Sequence, residues 1–176
     1  VGAATQGLAN YLKQEFASLP QIRVAIGHDC RNNSDVFARI AAEIFSANGI
    51  EVFLFESLRP TPEVSFAIRE LGCQSGVMIT ASHNPKEYNG YKAYWSDGAQ
   101  MLAPHDRNTI IEVNKITKVE DIHFDARPEL IKTLGADFDK KFIERVASLS
   151  APQRESIARH KDLKIVYTPI HGTGVR

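Results

Sequence analysis

Three short apolar runs, residues 22–27 (IRVAIG), 51–55 (EVFLF) and 77–79, are separated by stretches in which apolar residues recur at helical spacing. Runs this short do not fill a helix. Short apolar runs alternating with amphipathic helices make βαβ units, whose parallel strands are covered on both faces. The pattern predicts a helix over 3–18, with Leu8, Tyr11, Leu12 and Phe16 on one side, ended by Pro20. A second runs from a cap at Asn33 or Ser34 to Asn48-Gly49, with Phe37, Ile40, Ala41, Ile44 and Phe45 forming its face. A third covers 63–71 and stops at Gly72. The expected fold is α/β, a three-layer α/β/α sandwich with a mostly parallel mixed sheet.

Each strand ends in a polar loop, and one of these carries the most chemistry. After Val77, Met78 and Ile79 comes Thr80-Ala81-Ser82-His83-Asn84-Pro85, small, polar and closed by an Asn-Pro turn signal. Open α/β sheets hold ligands at the carboxyl ends of their strands, so Ser82 is presented where chemistry happens. Asn89-Gly90 then predicts a tight hairpin turn into an aromatic strand over 91–95, ended by Asp97-Gly98. On that strand Lys92 and Tyr94 share one face, and Tyr91, Ala93 and Trp95 the other. A chain doubling back in this way brings Lys92 towards Ser82. No G-x-S-x-G elbow surrounds the serine, and His83, its immediate neighbour, points away from it in an extended chain. From the residues alone the segment is either a plain capped turn or a hydroxyl placed for phosphoryl transfer, which needs positioning more than covalent chemistry.

The string TASHNP followed by Asn89-Gly90-x-Lys92 resembles the active-site segment of the α-D-phosphohexomutases, the phosphoglucomutase and phosphomannomutase family. The longer string NGYKAYWSDGAQMLAPHD is most similar to the phosphopentomutase-like branch. The resemblance implies that Ser82 carries a phosphoryl group and contributes to a Mg2+ site, and that Lys92 transfers protons. It places His83, Asn84, Arg31 and His171 among contacts to substrate or phosphate. It implies sugar monophosphate and sugar bisphosphate as partners, the bisphosphate serving as activator. GHDCRNNS and LRPTPEVSF resemble the family's first two strand loops, with Asp29 and Arg31 at the ligand edge. The same active-site segment suits two other readings, a sugar-bisphosphate synthase and a non-catalytic phosphate-binding domain. Retention of both Ser82 and Lys92 argues against the last.

The rest of the chain is less informative. A helix is expected over 104–116, marked by Ile110, Ile111 and Val113, then a connecting segment over 117–136. An amphipathic helix over 137–149 carries Phe138, Phe142, Val146 and Leu149 in one stripe. A short helix to His160, a strand over 163–167 (LKIVY) and a glycine loop, TPIHGTG, close the chain. Residues 1–150 are expected as the serine-carrying domain, and 151–176 as a linker and the start of a second. The chain begins at Val1 without methionine, and the resemblance implies an Asp-x-Asp-x-Asp metal loop and sugar loops outside it. A fragment, inactive alone, is expected. Lys plus Arg and Asp plus Glu number 21 each, so no net field argues for nucleic acid or membrane. Cys30 and Cys73 make no disulfide framework and are expected as buried thiols. With no long apolar span and no signal-peptide pattern, a soluble cytoplasmic protein is expected. The particular sugar and the oligomeric state have no signature here.

Overall fold

In a computed structural model of the chain, which describes residues 1–150, 158–170 and 172–174, the three apolar runs become neighbouring parallel strands. β1 (Arg23–His28) lies between β2 (Glu51–Phe55) and β3 (Ser75–Ile79) and is parallel to both. β4 (Tyr91–Trp95) joins β3 antiparallel, and β5 (Ile131–Leu134) joins β2 in parallel. The order is β4-β3-β1-β2-β5. The mostly parallel mixed sheet is as the alternation predicts. β5 is a correction, since it lies inside the expected connecting segment. Its four residues, IKTL, bury only Leu134, so the strand has an edge's short and polar character and no periodic signal.

Helices cover both faces of the sheet. α1 (Gly2–Glu15) and α2 (Ser34–Ala47) lie on one face, with α4 (His105–Val113) against α1, while α3 (Thr61–Glu70) and α5 (Ala136–Ser148) lie on the other. Leu8, Leu12, Ala41 and Phe45 of the first layer meet Val24, Ile26, Val52 and Val77. Val64, Ala67, Ile68 and Phe138 of the second meet Ala25, Phe55 and Met78. Alternation along each strand divides its residues between these two cores. In β4 the same rule sends Tyr94 into the second core and Tyr91, Ala93 and Trp95 onto the first, as expected. Close approach of α3 depends on two glycines. A Cβ on Gly27 would stand 2.4 Å from Val64 Cγ2, and one on Gly76 2.4 Å from Ile68 Cδ1.

Several local expectations need correction. Asn33 occupies the N-cap position of α2 in a left-handed conformation, φ 61°, but its side chain makes no cap bond. The Ser34 hydroxyl is likewise diverted, bonding Asp29. Cys73 is buried but Cys30 is exposed, because it sits on the loop beyond β1, outside either core. Ile110 and Ile111 of α4 face solvent while Thr109 and Glu112 are buried. On α5 only Phe138 is buried, and Val146 and Leu149 are exposed. A periodic stripe reports which residues share a face and not how far a neighbour reaches along it. Residues 163–167 form no strand, with Ile165 and Val166 exposed. A strand needs a partner for its backbone groups, and none lies beside this segment among the described residues. The helix expected up to His160 falls mostly on 151–157, outside the described residues. No helix among those described is long and apolar enough to cross a membrane.

α5 is fixed to the sheet by a buried charge. Arg59, 2% exposed, donates through Nε and Nη2 to both carboxylate oxygens of Asp139, at 2.7 and 2.8 Å. Its backbone N–H donates to His28 O at 3.0 Å, so the same residue also holds the loop after β2 against the end of β1. Glu63 lies 4.0 Å from the guanidinium, equally buried, with Oε1 unpartnered. Burial, then the hydrogen bond and charge of Asp139, push the Glu63 carboxyl up to about 7, against the pull of Arg59.

Candidate active site

His28 and Ile79, the last residues of β1 and β3, stand side by side in register. From there the chain leaves β1 towards β2 and leaves β3 towards β4, on opposite sides. The loops that leave them, with the one that opens α3, border a crevice at the carboxyl edge, the usual place for a ligand in such a sheet. A cavity of about 910 Å³ occupies it, lined among others by Asp29, Thr61, Ser82, His83, Asn84 and Lys92. Lys92 arrives from far along the chain because β4 is antiparallel, which puts its first residues, not its last, at this edge. The lysine pairs with Met78 across the sheet and is half-buried, and its chain direction brings it to the wall that Ser82 occupies.

The loop between β3 and β4 is wide, which corrects the expected tight Asn-Gly hairpin. Thr80 N–H donates to Gly90 O at 3.0 Å, so the ladder continues to Gly90 before the chain turns. Glycine is required there for closeness, since a Cβ would lie 2.7 Å from Thr80 O. Asn89 instead anchors the loop, its Nδ2 donating to Ser34 Oγ at 2.9 Å and to Asn32 O at 3.2 Å. Ser82 is exposed and left-handed, with φ 57°. That conformation costs a non-glycine residue about 1–2 kcal/mol and persists only where its surroundings enforce it. One support is local: Ser82 N–H donates to Thr80 Oγ1 at 3.1 Å. The turn has a second effect. It brings Ser82 Oγ within 3.0 Å of His83 Nδ1, correcting the expectation that these neighbours point apart. That expectation assumed extended backbone, and residues 82–83 form a turn instead.

The other support crosses from the β1 loop. Asp29 accepts from Arg31 N–H at 3.0 Å, Arg31 Nε at 3.0 Å and Ser34 Oγ at 2.9 Å. This ion pair is well shielded, the two side chains being 8% and 11% exposed. Held in this way, the Arg31 guanidinium turns onto the serine loop. Its Nη1 donates to Asn84 O at 2.6 Å and Pro85 O at 2.7 Å, and its Nη2 donates to Ser82 O. Asn32 N–H adds a bond to Lys86 O at 3.2 Å.

Of the residues singled out in the sequence, Ser82, His83, Asn84, Arg31 and Lys92 thus border one cavity. His171 lies outside the described residues. Sequence reasoning missed Asn89 as an anchor, because Asn-Gly reads as turn chemistry. It missed Lys86, a second lysine on the cavity wall, because a lone lysine on a polar loop has no distinguishing signal. Magnesium wants several oxygens in near-octahedral array. Ser82 Oγ offers one, Asp29 is already committed to Arg31 and Ser34, and no group of three or more His, Cys, Asp or Glu able to hold a metal occurs among the described residues. These residues alone do not make a magnesium site.

Comparison with known proteins gives a consistent picture. Residues 1–120 match the family described as phosphoglucomutase/phosphomannomutase, alpha/beta/alpha domain I. A phosphoglucomutase from Staphylococcus haemolyticus is 40% identical over 177 residues, covering 96% of this chain and 30% of the relative. The human phosphopentomutase is 36% identical over 181 residues, covering 97% of this chain and 29% of the relative. The chain therefore spans roughly a third of the length of such relatives. Among solved structures, parafusin from Paramecium, a phosphoglucomutase in its open form, superposes with a TM-score of 0.55 at 25% identity, over 64% of this chain and 22% of that one. A phosphoglucomutase/phosphomannomutase family protein from Burkholderia thailandensis shares the fold, with a TM-score of 0.59 at 19% identity over 85% of this chain and 32% of that one.

Proposed function

The chain belongs to the phosphoglucomutase/phosphomannomutase family, and from that premise we propose that Ser82 carries a phosphoryl group and exchanges it with a sugar phosphate. Phosphoserine donates to a hydroxyl of a sugar monophosphate. The Oγ–P bond breaks as a sugar O–P bond forms, giving a sugar bisphosphate. The bisphosphate reorients and returns its other phosphoryl group to Ser82. Lys92 takes the proton of the attacking sugar hydroxyl and gives one up on the return step. His83, in contact with Oγ, holds the hydroxyl between transfers, and Asn84 contributes at the phosphate side. A sugar bisphosphate acts as activator by phosphorylating an empty Ser82. Among the described residues, the Ser82 oxygen is the group that would face magnesium in the full-length enzyme, where the ion would neutralise charge on the phosphoryl oxygens. In this reading residues 1–150 are the serine-carrying domain, and 151–176 are the linker and opening of the next.

The observation that supports this reading best is the serine hydroxyl itself. It is exposed, held in a left-handed turn and shares a cavity with Lys92. A structural turn has no need of a constrained hydroxyl at a ligand crevice. The test is an assay of the full-length enzyme with a sugar monophosphate, with and without a bisphosphate primer. Isomerisation that needs the primer and disappears in Ser82→Ala is the expected result. Net bisphosphate formation from another phosphoryl donor would identify a synthase instead. Binding of the sugar phosphate without turnover would leave only a phosphate-binding domain.

A further inference from the structure

We propose that Arg31 is the positioning residue of this site, setting the shape of the serine loop rather than meeting the phosphate. The resemblance puts an arginine here among the contacts to substrate. The geometry gives it other work. Its charge is balanced at 3.0 Å by Asp29, whose oxygens also take Arg31 N–H and the Ser34 hydroxyl. Its outer nitrogens are spent on carbonyls of Ser82, Asn84 and Pro85, with Tyr88 O at 3.4 Å beyond them. Four carbonyls from one loop converge on one planar group. A guanidinium is suited to that, since its donors form a rigid fork, whereas an ammonium is a single point. The bond to Ser82 O acts on the peptide that follows the left-handed residue, so releasing it frees the conformation that turns Oγ towards His83.

The whole arrangement ties the two sides of the crevice together. Asn89 closes it from the far end of the loop, through Ser34 and Asn32, and Asp29 N–H bonds Ile79 O at 3.2 Å across the strand ends. Asp29, Arg31, Ser34 and Asn89 therefore form one frame around a loop that has no secondary structure of its own. The kinetic consequence rests on the reading of Ser82 as phosphoryl carrier. The structural consequence does not.

The experiment is Arg31→Lys in the full-length enzyme, followed by hydrogen exchange and by steady-state kinetics. Exchange over 82–88 is expected to quicken about ten-fold or more while amides of β1 and β2 keep their parental rates, because the loop opens locally. Turnover is expected to fall about a hundred-fold, as for a reacting group displaced by about an ångström, with KM for the sugar phosphate changed only a few-fold. With Arg31→Gln as the comparison, Arg31→Lys should recover no more turnover than Arg31→Gln does. Unchanged loop exchange overturns the proposal. So does a raised KM at unaltered kcat with lysine restoring most of it, the mark of a phosphate contact. If Arg31→Lys does not fold, Asn89→Ala takes its place, leaving the ion pair intact. Faster exchange over 82–88 in that variant supports the frame, and parental exchange overturns it. Should Ser82→Ala keep its turnover, the carrier reading fails separately, and the exchange measurement alone decides the role of Arg31.

Discussion

Ser82 Oγ and His83 Nδ1 are 3.0 Å apart, a contact between adjacent residues in a turn that opens at the left-handed Ser82. Two roles for the histidine differ in size. As a hydrogen-bond partner that holds the hydroxyl, it contributes about 1 kcal/mol, or roughly five-fold in rate. As the general base for the transfer, it would contribute about a hundred-fold or more. With Lys92 on the same wall, the smaller role is expected. His83→Ala in the full-length enzyme should slow turnover about five- to ten-fold, whereas Ser82→Ala should abolish it. Near-normal rate in Ser82→Ala would end the mutase reading, and a hundred-fold loss in His83→Ala would move the proton transfer from Lys92 to His83.

Lys92 is tested by removing its proton and not only its charge. Lys92→Met should lower kcat by about a hundred-fold or more and flatten one limb of the pH profile. Lys92→Arg keeps the charge on a group that does not give up a proton near neutrality, so it should rescue little. Full activity in Lys92→Arg would reduce the lysine to an electrostatic contact.

How far these assignments were legible from sequence depended on range. The three central strands, the helices between them and the exposure of Ser82 all followed from local period and turn chemistry. Lys92 could be placed near Ser82 because strand alternation and chain reversal are local rules as well. β5 escaped because a four-residue edge strand is defined by its neighbour β2, where Val52 pairs with Ile131, far along the chain. The Arg31 clamp escaped for a similar reason. Its partners are carbonyls, which carry no residue identity, so no sequence pattern marks them. Arg59 escaped because an arginine next to Pro60 reads as loop surface, and only Asp139 of α5, distant in the chain, makes it a buried pair.

That buried pair has a pH signature. The Glu63 carboxyl is pushed up to about 7 from its ordinary 4.5, with burial the main cause. In the folded chain it therefore keeps its proton to higher pH than it does unfolded. Between about pH 4.5 and 7 the folded state binds more protons, so stability falls as pH rises through that window and levels off above it. The loss is on the order of 1–3 kcal/mol. Glu63→Gln removes the titration and keeps a donor for Asp139. Urea midpoints at pH 5 and pH 8 should differ less in this variant than in the parent, with the gain at pH 8. An unaltered pH dependence in Glu63→Gln would show that Glu63 is not the titrating group.

The last prediction concerns the chain by itself. A mutase must hold both ends of a sugar phosphate, so that either oxygen can face the serine in turn. The described residues supply one wall of that space: a hydroxyl, an imidazole and an amine around an open cavity of about 910 Å³. They supply no metal cluster, and the chain spans only 30% of a relative such as the Staphylococcus haemolyticus enzyme. Folding has better support, since two cores flank the sheet and each is closed by its own helices. The purified 176-residue chain is therefore expected to show a cooperative unfolding transition but no conversion of a sugar 1-phosphate above a Ser82→Ala control. Phosphoryl uptake is the more demanding measurement. If the isolated chain incubated with a sugar bisphosphate gains a phosphoryl group on Ser82, the donor is being held by this wall alone, and the argument that the remaining walls are needed for transfer fails.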